Sequence, residues 1–532
     1  MFEEIPGFNV MTDHTLIDTL ARQVKTQPDA AAYRTGEVML TFADVDRITN
    51  RMANAMTALG VAPGDRVGCL TKHHTECLLM TVAAIKVGAV CMPVNWRLAP
   101  AEVQFIVSHG QAKLLMVDAA FLDQFLPGGA ALPLPDVKQI VCTDKAAGGL
   151  PTLADWYSSH GDRFTAHVAD PDDAALQLYS SGTTGLPKGV VLSHRNLLST
   201  CQVVGEGWKM DSSSVVGIPL PTFHVAGMTQ LLQTLYMGCQ ASCYSDFDPG
   251  AFIDSIGRHG ITHSFLVPGI LLFLLESPAA PTGDYRTLKL IAYGGSPISE
   301  RVLQDAMRIF GCDFMQIYGL TETSGPVTFL YPEDHKGEQM RSAGRVVGGS
   351  RLRIVEPVTL EDAPEGEVGE VWIEAIRNFR EYWRNPKATA EAFPEGRNAN
   401  GGWFRSGDGG YIKDGYLFIN DRIKDMIISG GENIYPAEIE NVLMNHPCVA
   451  DCAVIGVPDE KWGEAVKACV VRKPGVEGEP AQIIAWMRER MAHYKCPKTV
   501  DFMDALPRNP TGKILKRVLR EPYWAGVGRG VN

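Results

Sequence analysis

Apolar positions recur at helical spacing over residues 44–59, 78–87, 252–259, 299–310, 437–444 and 480–491. They form short unbroken runs over 66–70, 174–178, 190–192, 264–267, 288–293 and 314–317. Unbroken runs of this length between helical stretches are the mark of strands covered on both faces, so the N-terminal part predicts βα alternation and a parallel sheet packed under helices. From 350 to 374 the segments shorten and alternate, as in 351–355 and 370–373, with Gly and Pro turns between them. A small β-rich subdomain follows from that change. Residues 411–418 read as a hairpin about Asp414-Gly415. Beyond a boundary near 421–424 the rhythm starts again, with a helix over 437–444 behind Pro436, strands over 449–457 and 465–471, and a helix over 480–491. This second unit is a compact α+β domain of about 110 residues. The expected fold class is α/β: a large N-terminal domain, residues 1–421, of parallel or mixed sheets covered by helices with a small β subdomain, followed by a small α+β domain from residue 425.

Length and composition narrow the class. A chain of 532 residues with 45% hydrophobic and 21% charged residues has the composition of a globular protein with a large core. Its net charge of −12 disfavours nucleic acid, which calls for a basic face. The first residues carry Glu3 and Glu4 and lack the basic start and apolar stretch of a signal peptide, and runs such as 80–94 are interrupted by Lys86. Twelve cysteines are spread singly, without a Cys-x-x-Cys pair. Free buried thiols and a cytoplasmic location are expected. The four-residue spacings Cys239/Cys243, Cys448/Cys452 and His259/His263 lack further ligands nearby in sequence, so no zinc site is expected.

Candidate chemistry begins at Tyr179-Ser-Ser-Gly-Thr-Thr-Gly-Leu-Pro-Lys-Gly-Val190, a hydroxyl- and glycine-rich loop between two strand-like runs. Glycines let backbone N–H groups approach a polyanion, Ser180, Ser181, Thr183 and Thr184 add donors, and Lys188 adds charge. The spacing is not that of the Walker A loop, because Lys188 follows Pro187 and precedes Gly189.

Four further segments follow in order: Tyr318-Gly-Leu-Thr-Glu-Thr323, Trp403-Phe-Arg-Ser-Gly-Asp408, Asp421-Arg-Ile-Lys-Asp425 running into Gly430-Gly-Glu-Asn433, and Pro507-Arg-Asn-Pro-Thr-Gly-Lys513. Together with the loop, this series resembles the ordered core motifs of the adenylate-forming superfamily, which comprises acyl-CoA synthetases, peptide-synthetase adenylation domains and beetle luciferases. The resemblance runs from about residue 40 to residue 517. It implies that ATP, Mg²⁺ and coenzyme A are used. The loop Ser180, Ser181, Gly182, Thr183, Thr184 and Gly185, with Lys188, would hold the β- and γ-phosphates. Thr321 would contact the α-phosphate, and Glu322 would bind the Mg²⁺. Tyr318, followed by Gly319, would stack on adenine beside Gly294, Gly295 and Ser296, while Asp408 and Arg422 would hold the ribose. Lys513 would bridge the carboxylate and the α-phosphate in adenylation. Residues 422–424 would be the hinge, centred on Lys424, about which the small domain rotates. Gly430 and Gly431 would flank the pantetheine tunnel. The stretch 344–348 lacks the proline common at that place in the family.

The resemblance makes His224 the aromatic gate beside the substrate carboxylate, where amino-acid adenylation domains usually carry an aspartate. Its companions Val225, Met228, Val267, Tyr293 and Val327 are mostly apolar. An uncharged hydrophobic acid, fatty or aryl, fits such a pocket better than an amino acid. The reading is thus an acid–CoA ligase: a small carboxylic acid, ATP and CoA as its small-molecule partners, no nucleic acid, no transmembrane segment, and a homodimer compatible with it. A ligase loading an acyl carrier protein, a luciferase-like oxygenase and a non-catalytic acyl-adenylate binder stay open as alternatives.

Overall fold

The apolar runs pair into sheets much as their pattern predicts. The computed structural model describes residues 13–122, 134–180, 187–357, 359–430, 432–508 and 514–525. Among them the strands assemble into a seven-stranded and a nine-stranded sheet, a four-stranded antiparallel sheet and a five-stranded sheet. The predicted run at 66–70 is the strand Arg66–Leu70, buried throughout, and 44–59 is the helix Phe42–Leu59. Its start is set by Thr41, whose hydroxyl accepts from the Asp44 peptide N–H while the Asp44 carboxylate accepts from that of Thr41.

Both large sheets are mixed rather than wholly parallel. Ala174–Ser180 and Lys188–Ser193 pair antiparallel, closing on Ser180 opposite Lys188, and Asp313–Leu320 pairs antiparallel with Gly325–Leu330. The connections there are too short for the helical crossover that a parallel pair needs. The remaining strands around the site, His263–Leu266, Leu290–Gly294 and Asp313–Leu320, are mutually parallel and end on one side. In open α/β sheets the carboxyl ends of parallel strands are where ligands bind.

The expected β subdomain is the antiparallel sheet of Ser350–Val355, Gly369–Ala375, Trp403–Lys413 and Tyr416–Arg422. Asp414 and Gly415 form its two-residue turn, both with positive φ, 52° and 78°. In the C-terminal part, Val449–Asp459 and Gly463–Arg472 make a long hairpin packed against the helices Pro436–Leu443 and Pro480–Arg488. The second of these stops three residues short of the expected 491, the chain turning there into the Met491–Cys496 bend that Cys496 Sγ closes on the Met491 and Ala492 carbonyls. All twelve cysteines are free thiols, and all but Cys312 are buried.

Candidate active site

The strand Asp313–Leu320 ends in a single tight turn, Thr321–Thr323, that carries two of the expected groups on either side of it. Thr323 holds the turn: its hydroxyl meets the Leu320 and Gly325 carbonyls and accepts from the Leu320 N–H at 2.9 Å. Gly319 and Gly294 are required by close approach. A methyl group on Gly319 would lie 1.9 Å from the Gly325 carbonyl oxygen, and one on Gly294 2.1 Å from that of Ile317. The strands therefore meet at the site with backbone against backbone, leaving the cleft to the side chains at their ends.

On one side of the turn, the Tyr318 hydroxyl donates to Asp408 Oδ2 at 2.7 Å, and Arg422 Nε pairs with Asp408 Oδ1 at 2.7 Å. Asp408 and Arg422 face each other across the antiparallel strands of the β subdomain, so their register makes the ion pair. Burial, then the Asp408 carboxylate, push the Tyr318 phenol far above its ordinary pKa, so it stays a donor. Asp408 in turn raises the pKa of Arg422. The result is an anchored carboxylate under a fixed tyrosine ring, suited to accept sugar hydroxyls beside a stacked base.

On the other side, Glu322 Oε1 accepts from the Ser180 hydroxyl at 2.9 Å and from the Tyr382 hydroxyl at 3.2 Å. Lys188 Nζ sits 4.7 Å from the centroid of the Tyr382 ring. Among the described residues Glu322 makes no ion pair, and its Oε2 has no protein hydrogen bond. A carboxylate oriented by neutral donors with one oxygen left open fits a hard divalent cation, which takes few protein carboxylates and completes its shell with water and phosphate oxygens. Tyr382 escaped the reading of the sequence. Its signal was the bulky pair Tyr382-Trp383 set in a polar stretch, which reads as an isolated surface feature until the strand Glu381–Tyr382 pairs with Lys188–Ser193.

His224 caps the helix Val225–Met237, its carbonyl accepting from Gly227 and Met228. Its ring lies 4.3 Å from that of Phe223, which meets Trp96 edge-on, and Trp96 stacks on Phe121. Burial lowers the His224 pKa to about 3, helped by the charge of Arg97, and Nε2 has no hydrogen-bond partner among the described residues. The imidazole is thus neutral near pH 7. Val225, next in the chain to His224, and Val267 are half-buried against the main core, whereas Met228 and Val327 are wholly buried within it.

The structure does not bring Tyr293 to these residues. Alternation along Leu290–Gly294 sends Leu290 and Ala292 into the main core and Ile291 and Tyr293 into the cluster behind the sheet. There Tyr293 is fully buried and its hydroxyl meets His335 Nε2 at 3.0 Å. The placement of Tyr293 in the acid pocket is corrected on this ground. Ser296 and the exposed Gly295 follow Gly294 at the strand end.

Gly430 occupies the turn between Ile427–Ser429 and Glu432–Ile434 with φ 64°, and a methyl group there would strike the Trp462 indole at 2.6 Å. Lys424 lies in the turn Ile423–Asp425. The loop residues Ser181, Gly182, Thr183, Thr184 and Gly185, together with Gly431 and Lys513, lie outside the described residues. Among the described residues no helix is long and apolar enough to cross a membrane.

Residues 20–383 match the AMP-binding enzyme family, and residues 438–513 match the AMP-binding enzyme C-terminal domain. The chain is 38% identical over 528 residues to a fatty acid–[acyl-carrier-protein] ligase of Streptomyces coeruleorubidus, covering 97% of this chain and 98% of that one. It is 37% identical to a long-chain-fatty-acid–CoA ligase of Mycobacterium tuberculosis, covering 96% and 98%. Among solved structures it superposes on ATP-bound MatB from Rhodopseudomonas palustris with a TM-score of 0.85 at 30% identity, covering 95% of this chain and 99% of that one.

Proposed function

Because the chain belongs to the AMP-binding enzyme family and is an ATP-dependent acyl-CoA synthetase, activating a carboxylic acid as acyl-AMP, we propose that its acid is hydrophobic and uncharged beyond its carboxylate. The observation that carries this reading is the buried, neutral His224 ring against Phe223, and the nucleotide part rests on a pair of anchored carboxylates, Asp408 and Glu322, set on either side of one strand end. They suit the sugar and the phosphates of one nucleotide lying across the Thr321–Thr323 turn. A carboxylate oxygen of the acid attacks the α-phosphorus of ATP, the new P–O bond forms as the bond to pyrophosphate breaks, and pyrophosphate leaves with the electron pair. The CoA sulfur then attacks the acyl carbon, a C–S bond replaces the C–O bond to AMP, and the thiol proton is released. Such steps depend on charge neutralisation and alignment.

Tyr318, Asp408 and Arg422 would hold adenosine, and Ser180, Lys188 and the loop between them the phosphates. Glu322 would hold Mg²⁺, which when bound neutralises phosphate charge. We assign Lys513 to the carboxylate and α-phosphate, residues 422–424 to the hinge, and Gly430 with Gly431 to the passage of the thiol arm. The neutral His224 ring, with Phe223 and Val225, would face the acid. An ammonium beside it would be buried without a carboxylate there to pair with, at a cost of several kcal/mol.

The test is a panel of fatty, aryl and amino acids assayed for pyrophosphate release, each with CoA, with a phosphopantetheinylated carrier protein, and with neither. Fatty or aryl acids should turn over and be transferred to CoA. Glycine or phenylalanine reacting as well as these would overturn the substrate reading. Transfer to the carrier protein in place of CoA would assign the acceptor suggested by the Streptomyces relative.

A further inference from the structure

We infer that Tyr382 is a positioning residue that holds the lysine of the phosphate loop and the carboxylate of Glu322 on separate parts of one side chain, so that Glu322 stays available to a divalent cation. This rests on the metal-binding reading of Glu322 given above. Lys188 Nζ lies over the face of the Tyr382 ring, 4.7 Å from its centroid, and Glu322 Oε1 lies 3.2 Å from its hydroxyl. Lys188 and Glu322, both at the base of the loop, form no ion pair with each other. The ring face gives the ammonium a partner while the ring's own hydroxyl occupies Glu322 Oε1, so each charge is met without contact between the two. Were the ring absent, the flexible lysine stem would bring the ammonium onto Glu322, where it would compete with a metal.

The ring is built to stay where it is. Its strand pairs Tyr382 with Val190, the Tyr382 N–H donates to Thr389 Oγ1 at 3.0 Å, and Phe379 packs on it at 4.6 Å. The neighbouring Trp383 N–H donates to the Gly189 carbonyl, and its indole N–H to that of His109. The Arg66 guanidinium stacks 3.4 Å from the Trp383 ring while Nε bonds Gln177 in the loop's own strand. The same segment grips the carboxylate residue itself, the Phe379 N–H donating to the Glu322 carbonyl at 2.7 Å.

The test uses the full chain with Mn²⁺ as a spectroscopic stand-in for Mg²⁺ and a non-cleavable ATP analogue at saturation. Mn²⁺ binding is read by electron paramagnetic resonance, beside the Mg²⁺ concentration for half-maximal pyrophosphate release. Tyr382→Phe keeps the ring and loses one neutral hydrogen bond, so Mn²⁺ binding should weaken about two- to tenfold. Tyr382→Leu removes the ring as well and should weaken it about tenfold more. Adding Lys188→Gln to Tyr382→Leu should restore Mn²⁺ binding to the Tyr382→Phe level. Equal losses in the Phe and Leu variants, or no restoration by Lys188→Gln, would overturn the inference. If Tyr382→Leu does not fold, the Phe variant decides: unchanged Mn²⁺ binding in it overturns the inference, and a loss with an unchanged thermal midpoint supports it. A wild-type protein that binds the analogue without Mn²⁺ would sink the reading of Glu322 itself.

Discussion

At the scale of single residues, the Tyr318–Asp408–Arg422 group pairs its side chains with one another before any ligand arrives. Asp408 gives one oxygen to Tyr318 and the other to Arg422. Asp408→Asn turns one acceptor into a donor that faces another donor, and takes away the charge a ribose hydroxyl would find. Hydrogen bonds to charged groups contribute about 1.5–3 kcal/mol, so kcat/KM for ATP should fall by about tenfold to a hundredfold. Tyr318→Phe, which keeps the ring, should lose only about two- to tenfold. Steady-state pyrophosphate release against ATP concentration measures both. Unchanged ATP kinetics with lowered stability in Asp408→Asn would reduce Asp408 to a partner for Arg422.

At the scale of elements, two glycines separate close packing from backbone conformation. In Gly319→Ala the new methyl would meet backbone oxygen at 1.9 Å, with no flexible side chain to give way, so the two strands must part. A loss of about 3 kcal/mol or more is expected, with ATP binding falling too because Tyr318 lies on that strand and Thr321 in the turn that ends it. Gly415→Ala meets nothing within 4 Å but must keep φ near 78°, which costs about 1–2 kcal/mol and should leave ATP kinetics alone. Urea midpoints for the two variants test the contrast, and equal midpoints would contradict it. The helix Val225–Met237 shows another rule of elements. Thr229, Gln230, Gln233 and Thr234 are all buried along it, and Thr229, Gln230 and Thr234 turn back to carbonyls of their own helix, so an interior helix carries four polar side chains.

At the scale of the molecule, buried histidines make stability depend on pH. His194 and His263 are each held at about 4, chiefly by burial, against 6.5 for an exposed histidine. Between pH 6.5 and 4 the unfolded chain binds protons there that the folded chain does not, so stability is complete above about 6.5 and is lost as pH falls through that window. Each contributes on the order of 3 kcal/mol at its lower end. Urea midpoints at pH 7.5, 6 and 5 should fall in that order, and His263→Gln should flatten the slope; a flat profile in the parent chain would refute the assignment. The proposed hinge is a second matter for the whole molecule. The turn Ile423–Asp425 lies between the Asp408–Arg422 pair and the ion pair of Asp425 with Arg520 in the last helix. Proline at 424 fixes φ near −65°, so Lys424→Pro should keep acyl-AMP formation within about tenfold while strongly reducing thioester formation. Lys424→Ala should be nearly silent in both. Parallel losses in Lys424→Pro, measured as pyrophosphate and acyl-CoA on the same preparation, would remove the proposal that rotation about this hinge separates the two steps.

Local chemistry was legible in the order of the residues. Unbroken apolar runs became buried strands, Asp414-Gly415 became a two-residue turn, and the spacing of Tyr318 and Glu322 put both at one strand end, because each depends only on neighbours within a few positions. Tertiary structure alone decided which distant segments meet. Tyr382 reaches Glu322 across 60 residues, and Ser180 reaches it across 142. Among the described residues Arg377 is buried with carbonyls and hydroxyls as its hydrogen-bond partners, since Pro326 of one strand meets there Gly348 and Ser350 of a turn and the strand that follows it. Tyr293 was placed by which face of its strand the neighbouring helices cover, and a period of two leaves that choice open until the sheet is assembled.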